Sequence, residues 1–184
     1  VATNENNILQ RVINTGEYRP TQVKPSLSPS MDIQVSSNFE RLLYDILGND
    51  DKKVLSLMNS LSSNGSFKLD KEEINIIKKN FCAEKISDDE TLNIIKGIER
   101  KHGFILDPHT ATAVGASQKI KNNSDTVILG TAHPYKFLET IKLATGKEID
   151  PPSQLSNVLD RQEKYDILEN KFLDVKNYIL KKVV

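Results

Sequence analysis

Apolar residues return every three or four positions through the first hundred residues of this chain, a period that predicts a succession of short amphipathic helices. Ile8, Leu9, Val12 and Ile13 form the first stripe, preceded by turn and cap chemistry at Asn4 to Asn7 and closed by Gly16. Ser37, with Glu40 three residues on, has capping-box spacing, and Leu42, Leu43, Ile46 and Leu47 follow as far as Gly48. Asp51 is placed to cap a third helix bearing Val54, Leu55, Met58 and Leu61 on one face. Asp70 with Glu73 opens a fourth, carrying Ile74, Ile76 and Ile77. Ser87 with Glu90 opens a fifth, carrying Leu92, Ile95 and Ile98 and stopping at Gly103.

The pattern changes at both ends of this run. Val1, Ala2 and Thr3 read as the end of a strand, and a chain that starts there reads as a fragment. Between the first and second helices, "EYRPTQVKPSLSPSMDIQ" has three prolines, three serines and no period, which predicts a long loop of the functional or mobile kind. After Gly103, "FILDP" is a short apolar run broken by Asp107, with Pro108 suited to a first helical turn. Thr126, Val127, Ile128 and Leu129 are apolar or β-branched on both faces, the pattern of a fully buried parallel strand. Pro134 begins a helix through Phe137, Ile141 and Leu143 to Gly146. Beyond Pro151 and Pro152 come terminal helices with Leu168, Phe172, Val175, Tyr178 and Ile179 as their buried stripe. Helix, strand, helix at this spacing predicts α/β architecture. Three segments follow: 1–38 with the strand end, helix and long loop; 39–102 as a helical subdomain; and 103–184 as an α/β segment with C-terminal helices.

Composition removes several classes of function. The 184 residues carry 25 basic and 25 acidic side chains, so no net field recruits nucleic acid or an anionic membrane. Cys82 is the one cysteine, which excludes an internal disulfide and a cysteine-based zinc site. No apolar run approaches the ~18 residues of a transmembrane helix, and we expect a cytoplasmic protein.

Candidate chemistry concentrates late in the chain. In open α/β sheets ligands bind beyond the carboxyl ends of parallel strands, and here that end is Gly130, Thr131, Ala132 and His133 before Pro134. Glycine lets backbone approach a ligand closely, and the threonine hydroxyl offers one hydrogen bond. His109 and His133 each sit near a helix start without a third metal ligand, and His102 suits a helix C-terminus. The eight glycines are spread singly, with no phosphate-cradling pattern. Ala111, Ala113, Gly115 and Ala116 are small enough for close helix packing and need no ligand to explain them.

Four blocks, "ATNENNILQRVINTGEY", "SLSPSMDIQVSSNFERLLYD", "DPHTATAVGA" and "ILGTAHPYKFLET", stand in the order and rough spacing found in threonine synthases. The chain thus resembles the carboxyl-terminal portion of the microbial and fungal type. The resemblance implies a partial lobe of a pyridoxal-phosphate fold of the tryptophan synthase β type, with residues 39–102 as a helical insertion. It implies conversion of O-phosphohomoserine and water to threonine and phosphate with pyridoxal 5'-phosphate. The family's cofactor-bearing lysine and glycine-rich phosphate cup precede the first block, so both are expected outside this chain, in the remaining N-terminal part of the enzyme. Alone the chain is expected to be inactive and prone to self-association. By the same resemblance, the Thr131 hydroxyl meets the pyridine nitrogen, Gly130 keeps the ring edge clear, and Asp107 and Thr110 line the cofactor or substrate. Two other readings stay open: a phospho-lyase or dehydratase of the same fold, and a non-catalytic helical interaction module.

Overall fold

The computed structural model describes residues 1–120, 125–156, 158 and 160–183. It is a mostly helical α/β segment that divides into two units, Val1–Ile149 and Asp150–Val184. No helix among the described residues is long and apolar enough to cross a membrane.

The first unit opens with β1 (Ala2–Thr3), α1 (Ile8–Thr15) and β2 (Glu17–Tyr18). There follow α2 (Phe39–Ile46), α3 (Asp51–Asn64), β3 (Phe67–Lys68), α4 (Lys71–Asn80) and β4 (Glu84–Lys85). β1 pairs in parallel with β4, Ala2 opposite Glu84, and β2 pairs antiparallel with β3, Glu17 opposite Lys68. These pairings fold the helices onto α1. Its stripe residues Ile8, Val12 and Ile13 are buried with Leu43, Leu69 and Ile77 in one core. Each such side chain contributes about 1.5–3 kcal/mol by leaving water. Tyr18 is the hub of that core, stacked on Phe67 at 4.8 Å and on Phe39 at 5.6 Å between ring centroids. Gly16 turns the chain from α1 into β2 at φ +78, and a Cβ there would stand 2.5 Å from Ile74 Cδ1 and 3.0 Å from the Leu69 carbonyl oxygen.

The second core belongs to α5 (Asp88–His102), α6 (Pro108–Lys119) and α7 (Leu138–Thr145), the last led in by a 3-10 turn over Pro134–Phe137. Ile95, Leu106, Ala111, Ile141 and Ala144 form its buried centre. Thus α5, grouped by sequence with the helical segment 39–102, packs with the segment that follows it, while α1 packs with the helices of 39–102. The small residues of α6 serve this packing: a Cβ on Gly115 would lie 2.5 Å from Ile94 Cδ1 and 3.1 Å from Ile86 Cδ1.

Several local expectations are corrected. Asp70 with Glu73 and Ser87 with Glu90 do make complete capping boxes. At α2, however, the cap residue is Asn38, in helical backbone and without a side-chain cap bond, so Ser37 and Glu40 make no box. The cap of α3 is Asp50, which accepts from the Lys53 N–H at 3.0 Å, and Asp51 is already helical.

The largest correction concerns residues 126–129. They form no strand: the chain runs without regular structure over residues 125–130, and Val127 and Leu129 are 88% and 75% exposed. A strand exists only when hydrogen-bonded to a partner, and residues 126–129 pair with neither of the two described sheets. The segment instead lies along one side of a cavity of about 400 Å³ that Ala2, Ala113 and Ala116 line from the other.

In the second unit, α8 (Phe172–Val183) follows a 3-10 turn at Ser153–Leu155 and an irregular stretch. Leu168 lies outside the helix, and no described residue of α8 is buried, so the expected stripe forms a helix without being covered within its unit. Asn157, Leu159 and Val184, within the stretch read as terminal helices, lie outside the described residues. The Tyr178 hydroxyl donates to Asp166, whose carboxylate also lies 3.5 Å from Lys182 Nζ.

Candidate functional site

The site begins at the start of α6. Asp107 is its cap residue in extended backbone, and Pro108 takes the first helical position, where no N–H is needed. The Asp107 carboxylate, 2% exposed, then collects every free donor nearby. Oδ1 accepts from the His109 and Thr110 backbone N–H groups at 2.9 and 3.2 Å and lies 3.2 Å from His109 Nδ1. Oδ2 accepts from the Thr110 hydroxyl. A buried carboxylate with this many donors is satisfied, and such charge-assisted bonds are about twice as strong as neutral ones.

Two further bonds carry the knot outward. Thr110 Oγ1 accepts from the Thr131 backbone N–H at 3.2 Å, which draws the segment after residue 125 onto α6. His109 Nε2 accepts from the Ser30 N–H at 3.2 Å, and the ring lies 4.9 Å from that of Phe137. His133 accepts the Tyr135 N–H at Nδ1 and so caps the 3-10 turn at Pro134–Phe137.

The long loop after β2 arrives at this place in an ordered form that the sequence alone did not reveal. Asp32 Oδ1 accepts from the Ser26 hydroxyl at 2.6 Å and from the amides of Asn4 and Asn6 at 2.7 and 3.0 Å, while Oδ2 takes the Ser26 N–H at 2.9 Å. Asn6 exchanges both its amide groups with the backbone of Lys24 at 2.8 Å. The Leu27 N–H donates to Asp88 at the first turn of α5. The residues that sequence reading missed here are Asn4, Asn6 and Asp32, whose bonds hold the loop that brings the Ser30 N–H to His109. The signal was present in Asn4 and Asn6 as cap-type residues before α1, but they bond over long range to Asp32 instead of capping the helix.

Of the expected site residues, Asp107, Thr110 and Thr131 are brought into one hydrogen-bonded chain, with Gly130 adjoining. Asp107 and Thr110 are buried and spend their polar atoms inside that chain. Gly130 and Thr131 are exposed, and nothing beyond chain neighbours lies within 4 Å of where a Cβ on Gly130 would sit. Among the described residues, no group of three or more His, Cys, Asp or Glu is arranged to hold a metal ion. The place therefore offers one open hydroxyl beside open backbone, anchored from beneath.

The family described as "Threonine synthase, C-terminal" matches residues 110–179. The threonine synthase of Pseudomonas aeruginosa is 37% identical over 182 residues, covering 97% of this chain and 39% of the relative. The chain is homologous to part of threonine synthase. The Saccharomyces cerevisiae threonine synthase is 42% identical over 164 residues, 78% of this chain and 32% of that enzyme. A crystal structure of PLP-bound threonine synthase from Brucella melitensis aligns with a TM-score of 0.89 at 38% identity, over 97% of this chain and 39% of that one. The chain thus spans about two fifths of the threonine synthases it matches. Thr110, Gly130 and Thr131 fall inside the matched C-terminal region, and Asp107 lies just before it.

Proposed function

We propose that this chain supplies the wall facing the pyridine edge of pyridoxal 5'-phosphate in a threonine synthase that turns O-phosphohomoserine and water into threonine and phosphate. The observation supporting this reading is the open Thr131 hydroxyl on a backbone amide tied through Thr110 to buried Asp107, in a chain that aligns with a PLP-bound enzyme. The residues fit a flat aromatic group: the hydroxyl supplies one hydrogen bond, and Gly130 presents no side chain where the ring edge would lie.

When bound, the cofactor supplies the electron-withdrawing ring that makes substrate C–H bonds acidic. Thr131 gives the ring nitrogen a neutral partner; unlike a carboxylate, it does not hold that nitrogen protonated. Asp107 and Thr110 fix the height of Thr131 from below. The cofactor-bearing lysine and the phosphate cup come from the remaining N-terminal part of the enzyme, so the chain alone turns nothing over. The exposed Val127 and Leu129 are the surface that this part, or a second copy of the chain, covers. The setting is the cytoplasm.

The test is to read the gene upstream of the codon for Val1 and, where the reading frame continues, to express the whole product and assay it with O-phosphohomoserine. Release of threonine and phosphate in equal amounts supports the reading. A keto acid in place of threonine transfers the assignment to a dehydratase or phospho-lyase of the same fold.

A further inference from the structure

We propose that His109 is a positioning residue: it holds the Ser28–Met31 turn and the Gly130–Thr131 segment in one hydrogen-bonded chain, so that the turn sets where the ring-facing segment sits. That this segment faces a cofactor rests on the function proposed above.

The chemistry of the end groups fixes the direction of every bond. Backbone N–H groups only donate, and an ionised carboxylate only accepts. Ser30 N–H donates to His109 Nε2 at 3.2 Å, so Nε2 carries the lone pair and the ring proton is on Nδ1, which lies 3.2 Å from Asp107 Oδ1. From the other side, Thr131 N–H donates to Thr110 Oγ1 at 3.2 Å, and the Thr110 hydroxyl proton goes to Asp107 Oδ2. Two obligate donors, from distant parts of the chain, thus converge on one obligate acceptor with no bond left free to reverse.

His109 stands between the turn and the carboxylate. Its Nδ1–H, with the two backbone N–H groups on the same oxygen, sets the torsion of the Asp107 carboxylate. That torsion aims Oδ2 at the Thr110 hydroxyl, which leaves a Thr110 lone pair for the Thr131 amide. Without the ring donor the carboxylate gains freedom, and the loss reaches Thr131. The ring is held for this task, with its side chain 8% exposed and packed at a tilt against the Phe137 ring.

The experiment uses the 184-residue chain in solution, without cofactor. In the unaltered protein, nitrogen-15 NMR of the His109 ring should show the Nδ1–H tautomer; an Nε2–H tautomer overturns the proposal without any variant. His109→Phe keeps the ring and removes both nitrogens. Amide hydrogen exchange should speed up by about tenfold at both Ser30 and Thr131, with the Ile95 amide in the second core unchanged. Acceleration at Ser30 alone overturns the proposal, since the ring then pins only the turn. His109→Asn restores a donor toward Asp107, while its shorter amide oxygen does not reach the Nε2 position that Ser30 bonds, so Thr131 should return towards its original rate while Ser30 stays fast. Failure of Thr131 to recover overturns the route through Asp107. If His109→Phe does not fold, the ring tautomer and His109→Asn decide. All these readings are taken without turnover, so a failed His109 link and a failed threonine synthase assay remain distinguishable.

Discussion

Residues 103–117 and residues 125–131 are joined by the hydrogen bond from the Thr131 N–H to Thr110, yet they are finished to different degrees. The helix start at Asp107 in the first stretch is complete within this chain. The Asp107 carboxylate is satisfied by its own helix start, and the space beside Gly115 is filled by Ile86 and Ile94. The second carries the strongest strand composition of the chain and leaves Val127 and Leu129 in solvent. Bonds that close within a turn need nothing further, whereas a strand needs a hydrogen-bonded neighbour, and residues 126–129 have none in the described sheets. Under the function proposed above, a site made of both would be anchored here and completed by another part of the enzyme.

The contrast can be broken by mutation, most strongly at Asp107. Asp107→Ala removes the cap and leaves the Thr110 hydroxyl and two N–H groups without their acceptor, which should cost about 2–4 kcal/mol in urea unfolding. A loss below about 1 kcal/mol would mean that the knot is not the anchor. Gly115→Leu drives a side chain into Ile94 and Ile86 and should cost about 1–3 kcal/mol by the same measurement; a neutral result would show that α6 is not seated closely on its neighbours. Glu90 offers a weaker test. A hydrogen bond from Lys119, then those from Ser87, lower its carboxyl below the ordinary 4.5. Its contribution is therefore present above about pH 4.5 and disappears as pH falls through the lowered folded value. Because the side chain is 42% exposed, solvent screening keeps this to about a few tenths of a kcal/mol, and Glu90→Gln should flatten that acid limb. The smallest effect belongs to the unfinished stretch: Val127→Thr with Leu129→Thr should change the stability of this chain by less than about 0.5 kcal/mol. The same pair in the completed enzyme should be clearly destabilising, and equal effects in both settings would remove the contrast.

What could be read in advance follows the range of the interaction. The boxes at Asp70 and Ser87 depend on one turn of chain, and both were legible. The same spacing at Ser37 misled, because the box also requires extended backbone at the cap and Asn38 is helical there. Asp107 and Thr110 stood out as a loop-to-helix turn, but their bond to Thr131 depends on tertiary placement. Asn4, Asn6 and Asp32 close a loop across more than twenty residues, and polar pairing at that distance leaves no period to find. Residues 126–129 and the stripe of α8 show the complementary limit: apolar pattern reports what a segment can bury, without naming what covers it.

The central claim is that this chain is one wall of a pyridoxal-phosphate site and depends on the rest of the enzyme for its chemistry. The direct measurement is phosphate release from O-phosphohomoserine by the 184-residue chain supplied with pyridoxal 5'-phosphate, compared with the full upstream-extended protein under the same conditions. The account predicts release at background by the chain and turnover by the extended protein. Sustained turnover by the chain on its own would contradict it.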